Sequence, residues 1–136
     1  MAARTVDPVY IQVRVPTPPG VLQATPQVAA VDLPHGQLEA VDLTIPPGHL
    51  GMTGFSLRLA SVTILPYSNP GQFIVGDNLQ ETFLIGVEID TGVRVVTYNT
   101  GQFLHAFYLR FRIRLNPIPT GVPTAQLVPA DQLGAT

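Results

Sequence analysis

Alternation of apolar and polar side chains with period two governs most of this chain. It is unbroken in HAFYLRFRIRL (105–115), where Phe107, Leu109, Phe111, Ile113 and Leu115 fall on one side. Tyr108, Arg110, Arg112 and Arg114 fall on the other. Successive side chains of a strand point to opposite faces of its sheet, so such a run predicts a β-strand with one buried face. PVYIQVRVP repeats the pattern, with Val9, Ile11, Val13 and Val15 opposite Tyr10, Gln12 and Arg14. LEAVDLTIPP sets Val41, Leu43 and Ile45 against Asp42 and Thr44, and ETFLIGVEI turns Phe83, Ile85, Val87 and Ile89 inward. In FSLRLASVTILP, Phe55, Leu57 and Leu59 oppose Ser56 and Arg58. The phase is then lost at Ala60 and Ser61, which predicts a bulge or bend. VRVVTY adds a further strand.

Between these runs lie PPGHLGMTG, YSNPGQ, VGDN, DTG and YNTGQ, clusters of turn-forming residues. Fourteen prolines and twelve glycines suit many turns and few helices, and no segment of ten or more residues has helical periodicity. EIDTGVRV and TYNTGQF read as hairpins. Six to eight strands so spaced predict an all-β fold: a single antiparallel β-sandwich, jelly-roll-like, with an immunoglobulin-like sandwich as the alternative.

At 136 residues the chain is most simply one domain. The expected division is an N-terminal arm over residues 1–7, a sandwich over 8–115 and a Pro-rich C-terminal arm over 116–136. Residues 16–30, PTPPGVLQATPQVAA, read as a connection with little periodicity. The C-terminal segment carries Pro117, Pro119, Pro123 and Pro129 and cannot supply a central strand; polyproline-like extension is its default.

Composition excludes several functions. Without cysteine there is no disulfide and no thiolate metal site. A net charge of −2 argues against a general nucleic-acid binder, since phosphate binding needs surplus cations. No 18-residue apolar run predicts a membrane span, and the N-terminus lacks a signal-peptide core. The expected site of synthesis and assembly is the host cytoplasm. All seven basic residues are arginine, which accords with a high-GC genome.

No catalytic constellation emerges. His35, His49 and His105 are scattered, without an HxH or HExxH pairing, and read as surface or loop-anchoring residues. Ser56, Ser61 and Ser68 lack a nucleophile-elbow context. Glu81, Glu88 and Asp90 read as a solvated acidic cluster, and Asp77 with Asn78 as an Asx-turn rather than a calcium loop. No metal and no cofactor is expected. Tyr10, Tyr67, Tyr98 and Tyr108 are candidate platforms for sugar stacking. Tyr10 and Tyr108 lie on polar faces and are the glycan-contact candidates.

IPPGHLGMTG (45–54), GQFIVGDN (71–78) and YNTGQFLHAFYLRFRIRL (98–115), in that order, resemble small β-sandwich virion proteins of tailed bacteriophages that infect high-GC actinobacteria. The resemblance implies a non-enzymatic structural component of a bacteriophage particle, most simply a capsid-associated decoration or minor capsid protein. A tail or head–tail component, or a carbohydrate-binding module for host attachment, is the alternative. Its partners would be copies of itself, in a homo-oligomer, and other virion proteins such as the major capsid or tail proteins. Nucleic acid and membrane are not expected partners. The subunit-contact candidates are Tyr108, Arg110, Arg112, Arg114, Pro117, Pro119, Pro123 and Leu127. Two readings of the arginine face stay open: a solvated face, with arginine protecting a sheet edge, or a contact strip for acidic groups of a neighbouring subunit; the net-acidic chain disfavours a nucleic-acid strip.

Overall fold

A computed structural model describes residues 7–66 and 72–116. The C-terminal candidates Pro117, Pro119, Pro123 and Leu127, together with Tyr67 and Ser68, lie outside the described residues. Eight strands follow in chain order: β1 (Pro8–Thr17), β2 (Gln27–Val31), β3 (Gly36–Ile45), β4 (Thr53–Leu59), β5 (Val62–Leu65), β6 (Leu79–Ile89), β7 (Val93–Asn99) and β8 (His105–Leu115). They form two antiparallel four-stranded sheets, ordered β1-β8-β3-β6 and β2-β7-β4-β5. This interleaved order is that of a jelly roll, with both Greek keys closed between the sheets. The immunoglobulin-like alternative does not fit it.

The alternating runs become the inner faces. Leu38, Val41, Leu43, Phe107, Phe111 and Ile113 of the first sheet meet Phe55, Leu57, Val95 and Ile64 of the second. Phe55 and Phe107 touch across the interface, their ring centroids 5.9 Å apart. Burying such side chains contributes roughly 1.5–3 kcal/mol each, and this apolar layer drives the two sheets together. One polar pair crosses it. The Thr17 and Thr97 hydroxyls lie 2.8 Å apart in the buried space between β1 and β7, so each is satisfied.

Four expectations are corrected. EIDTGVRV and TYNTGQF are not hairpins, because β6 and β8 belong to one sheet and β7 to the other; each turn steps across the sandwich. At the first step Gly92 has φ +129°, and a Cβ there would lie 2.1 Å from the Val31 carbonyl oxygen. Only glycine admits that approach. The true hairpin is β4–β5, where Ala60 (φ +53°) and Ser61 form the tight turn that reverses the chain, and the pairing slips by one residue at Ile64, between Leu57↔Leu65 and Arg58↔Thr63. Of residues 16–30, read as connection, Pro16 and Thr17 end β1 and residues 27–30 form β2 together with Val31, pairing with β7 from Gln27↔Thr97 to Val31↔Val93. Ser56, assigned to a wet face, is buried, because the segment around Phe73 and Ile74 folds over the start of β4 and bridges it at Phe55.

Bulges bend the first sheet along one row. Between Ile113 and Arg112, β8 has no intervening residue. Between their partners Leu38 and Ala40, β3 has Glu39, and between the next partners Val87 and Leu84, β6 has Ile85 and Gly86. The extra residues accumulate outward across the sheet, a pattern that bends and twists it. The slip also resets phase. Leu38 and Val41 both point inward, so Glu39 is turned to the outer face beside the arginines.

Candidate interaction site: the arginine face and the loop pole

Arg110, Arg112 and Arg114 stand on the outer face of β8, which is an interior strand flanked by β1 and β3. The edge-protection reading of these residues therefore fails. Their neighbours are set by register: Gln12 and Asp42 flank Arg110, Tyr10 and Ala40 flank Arg112, and Pro8 and Gln37 flank Arg114.

Two carboxylates meet the three guanidinium groups. Arg110 Nε donates to Asp42 Oδ2 at 2.9 Å, and the Thr82 hydroxyl donates to Asp42 Oδ1 at 2.6 Å. Arg114 Nε donates to Glu39 Oε2 at 2.7 Å. Arg112 Nε lies 3.1 Å from Glu39 Oε1 but finds no directed hydrogen bond; that contact is a charge attraction. The Arg114 hydrogen bond holds the Glu39 carboxyl below its ordinary range, against partial desolvation, with the Arg114 and Arg112 charges adding to it. The Thr82 hydroxyl, then Arg110, does the same for Asp42. Reciprocally, the Glu39 hydrogen bond raises Arg114.

The glycan-contact candidates sit on this face with partners of their own. The Arg110 guanidinium lies 4.8 Å from the Tyr10 ring centroid, a cation–π distance, and Arg14 Nε is 3.4 Å from the Tyr108 hydroxyl. Both rings remain exposed, although one face of Tyr10 is occupied. Gln12, Arg14, Asp42, Thr44, Gln80 and Tyr108 line an open trough of about 930 Å³. Tyr98 is buried in edge contact with Phe73, centroids 5.0 Å apart, and is not a platform.

A second feature lies at one pole. Thr17 pairs with His105, Ile45 with Leu79, and Thr53 with Asn99. The β1–β2, β3–β4, β5–β6 and β7–β8 connections consequently emerge at the same end of the sandwich. Each displays large apolar side chains to solvent: Leu22 on the first, Leu50 on the second, Val75 on the third, and Phe103 and Leu104 on the fourth. Leu50 is 70 % exposed and Phe103 72 %.

These loops are tied down from below. Asp77 Oδ1 accepts from the Gly48 and Leu50 amides, both at 2.9 Å. It thus joins two loops, where an Asx-turn within its own loop was expected. These backbone donors, Leu50 foremost, lower the Asp77 pKa. Asn99 Nδ2 donates to the Thr17 and Phe103 carbonyls at 2.9 and 2.7 Å, and its Oδ1 accepts from Gly101. His49 is buried, with Nε2 3.2 Å from the Ala106 carbonyl oxygen and Nδ1 2.6 Å from the Thr53 hydroxyl. A carbonyl only accepts, so Nε2 carries the proton and Nδ1 accepts from Thr53. Burial, then the His105 ring 4.5 Å away, lowers the His49 pKa. His49 is a loop anchor, as expected.

The remaining polar residues are dispersed. His35 Nε2 lies 3.0 Å from Asp90 and 3.9 Å from Glu88 at the opposite pole, whereas Glu81 is near the other end of β6. The expected acidic cluster is therefore not one site. Among the described residues no group of three His, Cys, Asp or Glu side chains is placed to hold a metal ion.

The pole is what inspection of single residues missed. Its signal was present: IPPGHLGMTG, GQFIVGDN and the start of YNTGQFLHAF are the three connections that the Asp77, His49 and Asn99 contacts bind together. No family model and no curated protein matches the chain. One solved structure, described as "Bacillus endospore appendages form a novel family of disulfide-linked pili", is similar over 85 % of this chain and 96 % of that one. The identity is 15 % and the TM-score 0.46. A likeness at that score carries no argument about function.

Proposed function

We propose that this chain is a non-enzymatic structural subunit that builds a protein particle through contacts with copies of itself and with other particle proteins. The observation that carries this reading is the loop pole. Leu50 holds a left-handed φ of +54°, which costs a non-glycine residue on the order of 1 kcal/mol. Its side chain is then presented to water, so packing within the sandwich gives no return for that strain. Glycine or asparagine would satisfy the backbone, and a polar residue the solvent. An apolar side chain in this place serves a surface that arrives from outside. Phe103, fixed by the Asn99 contact to its carbonyl, fits the same description. Rigid aromatic and aliphatic anchors that need no ordering on contact are efficient binding elements.

Both terminal segments join the sandwich at the opposite pole, where Pro8 pairs with Arg114. One pole thus offers apolar knobs, and the described residues begin and end at the other. Within this reading the particle is a tailed bacteriophage of a high-GC actinobacterial host, and the chain is capsid-associated. The resemblance of the three segments supports that assignment, and their convergence at the proposed contact pole is consistent with it.

The test compares wild type with a Leu50→Asn/Phe103→Ser double variant, which alters only exposed side chains. The variant is expected to keep its thermal midpoint and to be lost from purified particles probed for this chain. Incorporation at the wild-type level would overturn the role of the pole. Absence of the wild-type chain from any particle would overturn the structural reading itself.

A further inference from the structure

We infer that β6 is a pairing edge through which two copies of this chain join antiparallel, extending the β1-β8-β3-β6 sheet into one continuous eight-stranded sheet. The argument rests on how the four sheet edges differ. A sheet edge exposes a row of unpaired N–H and C=O groups, and proteins blunt it with prolines, short strands or bulges. The edge strand β1 carries Pro8 and Pro16, which cannot donate to a ladder. At the edges of the other sheet, β2 has five residues and β5 only four. β6 is different: it spans Leu79–Ile89 without a proline and pairs with β3 alone among the described residues.

The bulge at Ile85 and Gly86 guards only the last third of that edge. The run Leu79–Leu84 is left regular and open. It also displays Leu84, at 86 % the most exposed of the large apolar side chains. Leu84 sits on the outer face opposite Ala40, too small a neighbour to cover it. An edge of this kind specifies a partner by its backbone: the occupant is an extended, proline-free strand. The C-terminal segment is a poor candidate, with four prolines between 117 and 129.

A second β6 fits. Read outward from a two-fold axis at Thr82, the run QETFL sets Thr82 opposite Thr82 and Gln80 opposite Leu84. Glu81 then faces Phe83. No like charges stand directly opposite, and the threonine pair is of the stabilising cross-strand kind. Because the axis is two-fold, one such contact closes as a dimer.

The test uses the full chain, whose lack of cysteine makes it a clean background. Sedimentation velocity at micromolar concentrations is expected to show a reversible dimer. Leu84→Lys, which changes an exposed side chain, is expected to return it to monomer mass with an unchanged thermal midpoint. Thr82→Cys is expected to form a disulfide-linked dimer on mild oxidation, because opposed antiparallel Cα atoms lie about 4.5–5.5 Å apart, within disulfide reach. Thr91→Cys, exposed at the far pole, is expected to cross-link far more slowly. A chain that stays monomeric overturns the inference, and so do equal cross-linking rates at the two cysteines. An assembly that survives Leu84→Lys but is lost in the Leu50→Asn/Phe103→Ser variant also overturns it, while supporting the pole contact.

Discussion

His49 shows how much one buried side chain decides. Neutral, it satisfies both ring nitrogens and links the β3–β4 loop to β8. Its folded pKa is depressed, so the unfolded chain takes up the proton first, near pH 6.5. The corresponding stability is complete above that value and is lost as pH falls through the folded pKa. A urea midpoint followed from pH 8 to 5 is expected to decline below about pH 6.5, and His49→Gln to flatten that slope while lowering the plateau. The carboxylates of Glu39, Asp42 and Asp77 act in the same sense at lower pH. Their depressed pKa values give stability that is lost only well into the acid range. At the same scale, Glu39→Gln leaves Arg112 and Arg114 without their shared anion. The groups are open to solvent, so the expected loss is modest and smaller at high salt. Arg112→Glu is a poor probe of subunit contacts, since it would repel Glu39 within the same chain; Arg112→Gln avoids that conflict.

At the level of strands and turns, β1 and β8 were legible because their apolar phase is long and strict, and β3 and β6 because alternation is clear on the longer side of each bulge. β2 was not. Ala29 and Ala30 blur the alternation in QVAAV, and the prolines before it suggest a loop. Turn residues reveal that a turn is tight, but not which sheet receives the next strand; hence the two misread hairpins. The position of Glu39 was readable in principle. Leu38 and Val41 are both apolar at a spacing of three, a one-residue slip that marks a bulge and carries Glu39 to the arginine face. Two glycines of positive φ, Gly92 in the β6–β7 turn and Gly86 in the β6 bulge, should respond unequally to alanine. Gly92→Ala meets the Val31 carbonyl at a forbidden φ and is expected to cost about 2 kcal/mol or more. Gly86→Ala, with φ +85° but open space around it, should cost about 1 kcal/mol. Chemical denaturation of both variants tests that order.

For the whole molecule, the sandwich class followed from strand number and spacing, whereas the jelly-roll preference rested on short hairpins beside longer crossings, and the two hairpins read there step between the sheets. The functional surfaces did not follow, because both are assembled from distant segments. The arginine face needs Asp42 and Glu39, roughly 70 residues upstream of their partners in an order no local pattern encodes. The pole needs four loops to arrive at one end. A chain ending after residue 116 retains every described strand and is expected to melt near the full-length midpoint. Failure of that truncated protein to enter particles would assign the tie to the removed segment.

The pairing of β1 with β8 has a consequence for how the protein comes into being. The strand made first is completed by the strand made last, from Pro8↔Arg114 to Thr17↔His105, and β8 also separates β1 from β3. During synthesis β1 and β3 must wait with open edges until β8 has been made. Completion of the first sheet is then governed by closing a loop nearly as long as the described domain, with an expected rate in the millisecond-to-second range of non-local β topologies.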